Sequence, residues 1–307
     1  MSDPAAVPIH ADRLTCRYGE FTAVDDVTFT VERGEIYALL GTNGAGKTTT
    51  LEALEGHRVP SSGSVRVLAA SPTDRARVRP RMGVMLQESG FAAELTAEES
   101  VDLVGAISGR TDDSARLLDR VGLAGKRRTR VAQLSGGERR RLDFATAIYG
   151  SPELVFLDEP TTALDPAARD RLWEVVTQLR DTGTTILMTT HYLEEAERYA
   201  DRIGLMHAGR LQHEGTLAEL VAAFPAHIEF RAQTGDRALP GPFERNDTDR
   251  FSAQTRSPQE DMLRLLRWAE AEGVGLDGLR CTPSSLTEIF RGLDRQPGSV
   301  TREEARR

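Results

Sequence analysis

Residues 41–49 combine closely spaced glycines with a lysine and threonines, a pattern that can bind phosphate groups. The stretch fits G-x-x-x-x-G-K-[ST], and its glycines permit a tight turn in which successive N–H groups face an anion. Lys47 would neutralise the β- and γ-phosphates, and the Thr48 hydroxyl would ligate Mg²⁺. The alternative is a Gly-rich turn with a solvent-facing lysine. The predicted phosphate-binding residues are Gly41, Thr42, Asn43, Gly44, Ala45, Gly46, Lys47, Thr48 and Thr49.

Two acidic residues and a histidine follow two other apolar runs. Asp158 and Glu159 come directly after Leu154–Leu157, and His191 follows residues 184–190. Because ligands of open α/β sheets bind at the carboxyl ends of the strands, we expect these side chains to face the phosphate loop. Asp158 would then hold Mg²⁺, Glu159 would act as the general base for water, and His191 would donate to a γ-phosphate oxygen. Taken alone, such an acidic pair is typical of a solvated strand end, and a lone histidine is usually structural.

Two further segments could contact a ligand. Ser135, Gly136 and Gly137 would present a hydroxyl and free N–H groups at a helix N-terminus, which predicts a second anion site. An ordinary helix N-cap explains the same serine equally well. Tyr18, next to Gly19, offers a flat ring on which a base could stack, although a tyrosine of a strand or turn fits the same pattern.

The elements that must position these residues follow an α/β pattern. The apolar run Ile36–Leu40 predicts a buried strand before the phosphate loop, and Thr50–Gly56 predicts a short helix after it. Residues 9–31 alternate in the manner of half-buried strands, with Asp25 and Asp26 in a turn. Together these patterns predict a mixed sheet core in which the phosphate loop joins a strand to a helix.

Three other regions are predicted from the remaining pattern. From about residue 88 to residue 150 the periodicity is helical, with a capping box at Thr96-x-x-Glu99, which predicts a helical subdomain inserted into the core. Residues 226–292 contain one alternating stretch and two helical patterns, which predicts a small α+β accessory domain. It could be regulatory, or it could be an extension that only packs or stabilises a dimer. The polar and charged residues 293–307 are predicted to be a disordered tail.

Composition limits the classes of function. The chain has 307 residues, of which 39% are hydrophobic and 28% charged, as is ordinary for a soluble globular protein. Its net charge of −8 does not favour a nucleic-acid partner. No apolar run approaches the ~20 residues that span a bilayer, and the N-terminus does not resemble a signal peptide, so a cytoplasmic location is expected. The two cysteines are too isolated for a metal or redox motif and are predicted to be free thiols.

Over residues 9–224 the chain resembles the ATP-binding cassette ATPase subunits of membrane transporters. The resemblance rests on motifs that stand in the order typical of that family: Tyr18, Gly41–Thr49, Gln87, Leu134–Glu138, Leu157-Asp158-Glu159-Pro160, Leu164-Asp165 and His191. It implies a phosphate-loop NTPase (RecA-like) core with an N-terminal antiparallel β subdomain, the inserted helical subdomain and the small C-terminal extension. It also implies ATP and Mg²⁺ as ligands and ATP hydrolysis as the activity.

The resemblance also gives the second anion site a partner. In this family two cassettes pack head to tail around two ATP molecules. Ser135, Gly136 and Gly137 would therefore contact the γ-phosphate held by the partner's phosphate loop, and Asp165 would lie at the dimer seam. All catalytic motifs are intact, which is consistent with a homodimer that has two working sites.

A separate membrane permease is the second partner that the resemblance implies. Gln87 would sense Mg²⁺ and water and would link the catalytic site to the permease, which would contact the helical subdomain near residues 88–103. Because substrate contacts lie in the permease, the transported substrate cannot be inferred from this chain. The segment Ser285–Phe290 is similar to the C-terminal motif of drug-resistance exporters, which suggests export of a drug-like or lipid-like compound, with the chain peripheral on the inner face of the membrane.

The chain departs from the family pattern at two places, and two other functions are disfavoured. Thr42 stands where proline is frequent, and Glu138–Arg141 replaces the commoner glutamine-arginine continuation, but neither removes a catalytic group. A cassette that clamps nucleic acid or ribosomes is disfavoured by the acidic charge and because only 87 positions separate Lys47 from Leu134, too few for the long insertion of such members. A non-catalytic nucleotide sensor is disfavoured because Glu159 and His191 are both present.

Overall fold

The computed structural model of the chain describes residues 7–87, 90–235, 237–247 and 249–294. These residues form two compact units, one that ends at Thr216 and one that begins at Leu217. The boundary therefore precedes the short helix at Leu217–Ala223, whereas the sequence pattern had placed that helix in the first domain. Of the predicted tail, Leu293 and Asp294 are the last residues of a helix, and residues 295–307 lie outside the described part.

The strands and helices of the first unit alternate along most of its length. The strands are β1 (Ile9–Tyr18), β2 (Phe21–Val31), β3 (Ile36–Gly41), β4 (Ser62–Val67), β5 (Met82–Met85), β6 (Leu154–Asp158), β7 (Thr185–Thr189), β8 (Arg202–His207) and β9 (Arg210–Gly215). The helices are α1 (Lys47–Leu54), α2 (Arg75–Val78), α3 (Ala97–Ser108), α4 (Ser114–Arg120), α5 (Gly136–Ile148), α6 (Pro166–Asp181) and α7 (Leu193–Tyr199).

The central sheet places the ends of β3, β6 and β7 beside one another. Its strand order is β5-β6-β7-β3-β8-β9, and all pairs are parallel except β8 with β9. Each residue of β3, β6 and β7 is buried, as expected for parallel strands that are covered on both faces. Since parallel strands end at the same edge, the segments after Gly41, Asp158 and Thr189 converge there.

A separate antiparallel sheet, in the order β2-β1-β4, forms the predicted N-terminal β subdomain. The prediction that Asp25 and Asp26 form a turn was wrong, because both lie within β2. Leu14 pairs with Val27 and Cys16 pairs with Val24, so β2 has one extra residue here, and Asp26 takes a positive φ of 56°. This is the geometry of a β-bulge, which accommodates an acidic pair without ending the strand.

The predicted helical subdomain contains α3, α4 and α5 between β5 and β6. The capping box at the start of α3 is confirmed: Thr96 Oγ1 accepts from Glu99 N, and the Glu99 carboxylate accepts from Thr96 N. Two residues of the predicted range, 88 and 89, lie outside the described part.

The second unit has its own sheet and core. Its elements are α8 (Leu217–Ala223), β10 (Ala226–Arg231), β11 (Glu244–Arg245), β12 (Arg250–Thr255), α9 (Pro258–Glu272), β13 (Asp277–Thr282) and α10 (Leu286–Asp294). The four strands form an antiparallel sheet in the order β11-β12-β10-β13, and Leu265 of α9 packs with Phe230 and Phe251 in the core. Of these four strands, the sequence pattern predicts only β10, through the alternation of Ile228 and Phe230.

The remaining features are the hydropathy of the helices and the two cysteines. In the described residues, no helix combines the length and apolar character that crossing a lipid bilayer requires. Cys16 is buried in β1 and Cys281 is exposed on β13, and both are free thiols as predicted.

Candidate active site

The phosphate loop connects β3 to α1 through a turn that tolerates no side chain at two of its glycines. Gly46 has a φ of 101°, and a Cβ there would lie 2.5 Å from the carbonyl oxygen of Ala23. A Cβ on Gly41 would lie 2.6 Å from the carbonyl oxygen of Met206. The backbone is therefore held closely at both glycines, and the loop leads directly into the N-terminus of α1, where N–H groups without a partner inside the helix can bind an anion.

Lys47 extends back along this loop. Its Nζ donates to the carbonyl oxygens of Gly41 at 2.6 Å and of Thr42 at 3.1 Å. Burial lowers the pKa of Lys47, while the negative charges of Glu159 and Asp158 oppose that shift. The ammonium group therefore lies between the loop and the acidic end of β6, where a phosphate chain in the loop would meet it.

Asp158 is buried at the end of β6 and is held by the neighbouring strand. Its carboxylate accepts a short hydrogen bond from the Thr189 hydroxyl of β7. Burial raises the pKa of Asp158, whereas this hydrogen bond and the charges of Arg140 and Lys47 lower it. One oxygen of the carboxylate is thus oriented by protein, in the manner of residues that support a ligating carboxylate.

Glu159 and His191 meet at the same edge. The Glu159 carboxylate lies 3.5 Å from Nδ1 of His191 and 3.4 Å from the Thr162 hydroxyl. The backbone of Glu159 has a φ of 48°, a conformation that is uncommon for a residue with a side chain. Its N–H donates to the carbonyl oxygen of Thr189 at 3.1 Å, which helps to hold this strained residue in place.

Arg140 is a residue of this region that the sequence reasoning missed. The side chain is buried, and its two terminal nitrogens donate to four backbone carbonyl groups. These belong to Leu86, Gln87, Asp158 and Glu159. A signal was present, because an arginine four residues before Phe144 falls on the buried face of α5.

Gln87 reaches the site only through its backbone. The residue follows β5, its side chain is exposed, and its carbonyl oxygen is the one that Arg140 contacts at 3.2 Å. The hydrogen bonds described for the chain do not join the Gln87 amide to Asp158 or Glu159. The structure thus brings together the predicted phosphate loop, acidic pair and histidine. Gln87 is connected to the acidic pair through Arg140, which contacts the backbone of all three residues.

Tyr18 is the last residue of β1 and lies beside α1. Its hydroxyl donates to Glu52 at 3.2 Å and lies 3.4 Å from the Thr49 hydroxyl. The guanidinium carbon of Arg58 lies 3.9 Å from the centre of the Tyr18 ring, and Arg58 Nε also donates to Glu52. One face of the ring is therefore covered by a cation, which leaves at most one face for a base.

Ser135 caps α5, so the N-cap interpretation of this segment is confirmed. Its Oγ accepts from Glu138 N at 3.2 Å, and the Glu138 carboxylate accepts from Ser135 N at 2.8 Å. Gly137 lies close to the next loop, since a Cβ there would be 3.2 Å from the carbonyl oxygen of Ala163. Asp165 likewise caps α6 by accepting from Ala168 N at 2.8 Å.

An apolar groove lies beside the exposed end of α3. It has a volume of about 290 Å³, and its lining includes Leu86, Phe91, Leu103 and Ile107. Ile107 is 77% exposed and Leu103 is 46% exposed, which is unusual for side chains of this type on one short surface.

Comparison with known proteins agrees with this geometry. The family described as ABC transporter matches residues 24–162, and the C-terminal domain of ABC transporter domain-containing proteins matches residues 226–285. The first match includes the phosphate loop, the Ser135 segment and the acidic end of β6.

Two relatives match nearly the whole chain. The daunorubicin resistance ATP-binding protein DrrA3 of Streptomyces coeruleorubidus is 36% identical over 95% of this chain and 96% of its own length. The Nod factor export ATP-binding protein I of Burkholderia pseudomallei (strain K96243) is 40% identical over 94% of this chain and 97% of its own length. A solved ATP-binding subunit of an ABC transporter superimposes with a TM-score of 0.66 at 31% identity, covering 69% of this chain and 91% of that one. This chain therefore belongs to the ABC transporter family and is one of its ATP-binding, ATP-hydrolysing subunits.

Proposed function

We propose that this chain powers the export of a small organic molecule through a separate membrane permease. The observation that carries the proposal is the convergence of Lys47, Asp158, Glu159 and His191 at one edge of the central sheet. Two relatives named for drug resistance and for export cover almost the full length of the chain, including its C-terminal unit. Neither name supports the alternative of a clamp on nucleic acid or ribosomes.

ATP would bind with its phosphates in the loop at 41–49 and its base against Tyr18. Lys47 would exchange its bonds to the Gly41 and Thr42 carbonyl groups for bonds to the β- and γ-phosphates. Since both carbonyl groups lie in the loop itself, the ammonium needs to move only a short way. The half-buried position of Lys47 strengthens its interaction with phosphate, because water screens the charge less there.

The donor set fits a magnesium ion held jointly by protein and nucleotide. Within the described residues, no three histidine, cysteine or acidic side chains are grouped closely enough to hold a metal by themselves. Magnesium in ATPases typically keeps several waters and is bound through one or two carboxylates together with substrate phosphates. Asp158 would supply the carboxylate and Thr48 a hydroxyl, and Gln87 would add its amide oxygen once its exposed side chain turns towards the site. The bound ion would neutralise charge that develops on the phosphates.

Hydrolysis would use Glu159 and His191 as a pair. The Glu159 carboxylate would accept the proton of the attacking water, and the contact with His191 would fix its direction. His191 would donate a ring N–H to a γ-phosphate oxygen. The positive φ of Glu159 supports this role, since strained residues that are held by several hydrogen bonds cluster at functional sites.

A second copy of the chain would complete each site. Ser135, Gly136 and Gly137 would contact the γ-phosphate bound by the partner, and Asp165 would lie at the seam between the two subunits. The polar atoms at the start of α5 are already ordered by the capping box, so little entropy would be lost when an anion binds. Closure would be driven by ATP binding and reversed by hydrolysis.

The apolar groove beside α3 would receive the permease. This surface follows Gln87 in sequence and carries the exposed side chains of Leu86, Leu103 and Ile107. Exposed apolar side chains around a groove are typical of a site that binds a helix of another protein. With the permease bound there, the chain would lie on the cytoplasmic face of the membrane. The names of the relatives favour an antibiotic-like or lipid-like substrate.

Capture of the partner from membranes tests this proposal. Tagged Glu159→Gln protein would be incubated with ATP and Mg²⁺ in detergent-solubilised native membranes, because slow hydrolysis should preserve the closed state. We expect an integral membrane protein with several spanning helices at near one-to-one recovery. Recovery of ribosomes, DNA or soluble proteins without any membrane chain would contradict the transporter proposal and favour the clamp.

A further inference from the structure

Arg140 joins three segments that are far apart in sequence. It lies on α5, five residues after Ser135, and its side chain is 6% exposed. One terminal nitrogen donates to Leu86 at 2.6 Å and to Gln87 at 3.2 Å, at the end of β5. The other donates to Asp158 and, at 2.7 Å, to Glu159, at the end of β6.

These contacts are too specific to be incidental packing of a charged side chain. Burial lowers the pKa of Arg140, and the charges of Asp143, Asp158 and Glu159 oppose that shift. Its Nε has no hydrogen-bond partner although it is buried, so the contacts through the terminal nitrogens must offset that cost. The planar guanidinium suits this position, because its donors can reach two strand ends at once.

The geometry points to Arg140 as the positioning residue that transmits movement of α5 and of the Gln87 loop to Glu159. The inference rests on the proposed role of Glu159 as the base. Arg140 holds the carbonyl group of Glu159 while the N–H of the same residue is bonded to Thr189, so the strained backbone is fixed on both sides. A displacement of α5 or of the loop at Gln87 would therefore change the direction of the Glu159 carboxylate.

This arrangement gives Arg140 a larger role in turnover than in nucleotide binding. None of its described contacts reaches the phosphate loop, Tyr18 or Lys47, and those to Gln87 and Asp158 are to backbone carbonyl groups. Removing the guanidinium should therefore misalign the base and change the affinity for ATP little. Since a misplacement of about 1 Å can cost roughly 100-fold in rate, kcat should fall by about 10- to 100-fold.

The first experiment compares Arg140→Met with Arg139→Met. Arg139 is the adjacent, exposed arginine of the same helix, so it controls for the lost charge and the changed helix sequence. We expect Arg140→Met to lower kcat by about 10- to 100-fold with KM and the ATP dissociation constant within about twofold of the wild type. Arg139→Met should keep the wild-type kcat. Wild-type kcat in folded Arg140→Met, or a loss confined to KM, would overturn the inference.

Arg140→Lys provides a second variant in case Arg140→Met does not fold. Lysine keeps the charge but cannot bridge both strand ends, so kcat should fall less than in Arg140→Met while KM stays unchanged. A purely structural role would lower the unfolding temperature and leave kcat per folded molecule at the wild-type level in Arg140→Lys, which would overturn the proposal. An inactive wild-type chain would instead contradict the proposed ATPase site itself.

A double-mutant cycle tests the connection with Glu159. If Arg140 acts by positioning the Glu159 carboxylate, Arg140→Met should slow the Glu159→Gln variant little further, because the base is already absent. We expect the double variant to be at most about threefold slower than Glu159→Gln. Fully multiplicative losses would show that the two residues act independently and would contradict the positioning role.

Discussion

The Glu159 carboxylate lies 3.5 Å from Nδ1 of His191, which joins the ends of two adjacent parallel strands. The pairing of Asp158 with Thr189 in the sheet register sets this distance, because it aligns the residues that follow each strand. A buried sheet is stiff, so the separation between the two side chains does not depend on a flexible loop alone. The relationship gives the first prediction.

Glu159→Gln should bind ATP normally and hydrolyse it at least about 100-fold more slowly, since a general base typically contributes that much or more. Steady-state ATPase rates and isothermal titration of ATP would measure the two effects. Glu153→Gln is the matched control, because Glu153 precedes the same strand and pairs with Arg81 at its opposite end. Unchanged turnover in Glu159→Gln would show that Glu159 is not the general base.

Lys47→Met should weaken ATP binding by about 10- to 100-fold, because a hydrogen bond to a charged group is worth roughly 1.5–3 kcal/mol. Calorimetric titration of the monomer would measure this affinity. Lys126→Met is the control, since Lys126 is the only other lysine of the chain and pairs with Glu138 on the surface. Equal affinities in the two variants would show that the loop binds phosphate without the Lys47 ammonium.

Arg58→Met should weaken ATP binding by roughly two- to fivefold, because the cation over Tyr18 polarises the ring that stacks on the base. Binding of tripolyphosphate, which has no base, should not change. Arg66→Met, which removes an exposed arginine of β4, controls for the loss of positive charge. Tighter ATP binding in Arg58→Met would indicate that the guanidinium competes with the base for the ring.

Leu103→Ser combined with Ile107→Ser should abolish recovery of the permease while intrinsic ATPase activity stays at the wild-type level. Both side chains line the groove beside α3 and are largely exposed, so the fold should tolerate the change. Leu263→Ser is a matched control, because Leu263 in the second unit is 47% exposed, close to the 46% of Leu103. Normal recovery of the permease by the double variant would exclude the groove as its binding site.

Glu55→Gln should change how stability depends on pH. Burial at the end of α1 raises the pKa of Glu55 from 4.5 to about 8, with the charge of Asp158 adding to the shift. The folded state therefore binds this proton more tightly than the unfolded state does. The stabilisation is complete below pH 4.5 and is lost as the pH rises to about 8.

The effect is best measured between pH 7 and pH 9, as an order-of-magnitude window around that pKa. His57, which lies 3.3 Å from the Glu55 carboxylate, has its pKa lowered by burial, away from this window. Burial raises the pKa of the Cys16 thiol, which adds a smaller fall in stability near the upper end. The unfolding temperature of the wild type should fall across the window, while that of Glu55→Gln should fall less and exceed it at the upper end. An exposed carboxylate variant, Asp74→Asn, should behave like the wild type. Parallel curves for the wild type and Glu55→Gln would contradict the raised pKa.

The sequence predicts correctly the strands that are buried on both faces. The strands β3, β6 and β7 are fully buried and read as continuous apolar runs, so both their positions and the residues at their ends were predictable. The strand β13 was missed because it is largely exposed and carries no alternation. The bulge at Asp26 was taken for a turn, because acidic residues side by side usually mark a turn and only the pairing partners reveal the extra residue.

The candidate site was predictable where side-chain type determines the chemistry. A lysine in a glycine-rich loop and carboxylates after a buried strand can be recognised from the sequence as phosphate-binding and metal-binding or basic groups, as for Lys47, Asp158 and Glu159. Arg140 and Thr189 cannot be recognised in this way. The helical pattern can place Arg140 on the buried face of α5, but it does not reveal what the side chain contacts. The carbonyl groups that Arg140 contacts and the carboxylate that Thr189 contacts lie about 20 to 50 positions away, which no local pattern encodes. The groove beside α3 was predicted only as a region, since exposure of Ile107 depends on the packing of α3.

The position of β3 in the middle of the central sheet also bears on the order of synthesis and folding. Its partners β7 and β8 follow much later in the chain; the Gly34 N–H, for example, bonds to Thr185, 151 positions further on. Contacts of such long range form slowly, and domains commonly complete folding as units during translation. A nascent chain that ends before Thr185 has neither β7 nor β8 and would thus expose an unpaired apolar strand beside its phosphate loop. Nucleotide affinity should consequently arise late, when most of the first unit has left the ribosome, and chaperones are expected to engage the chain until then.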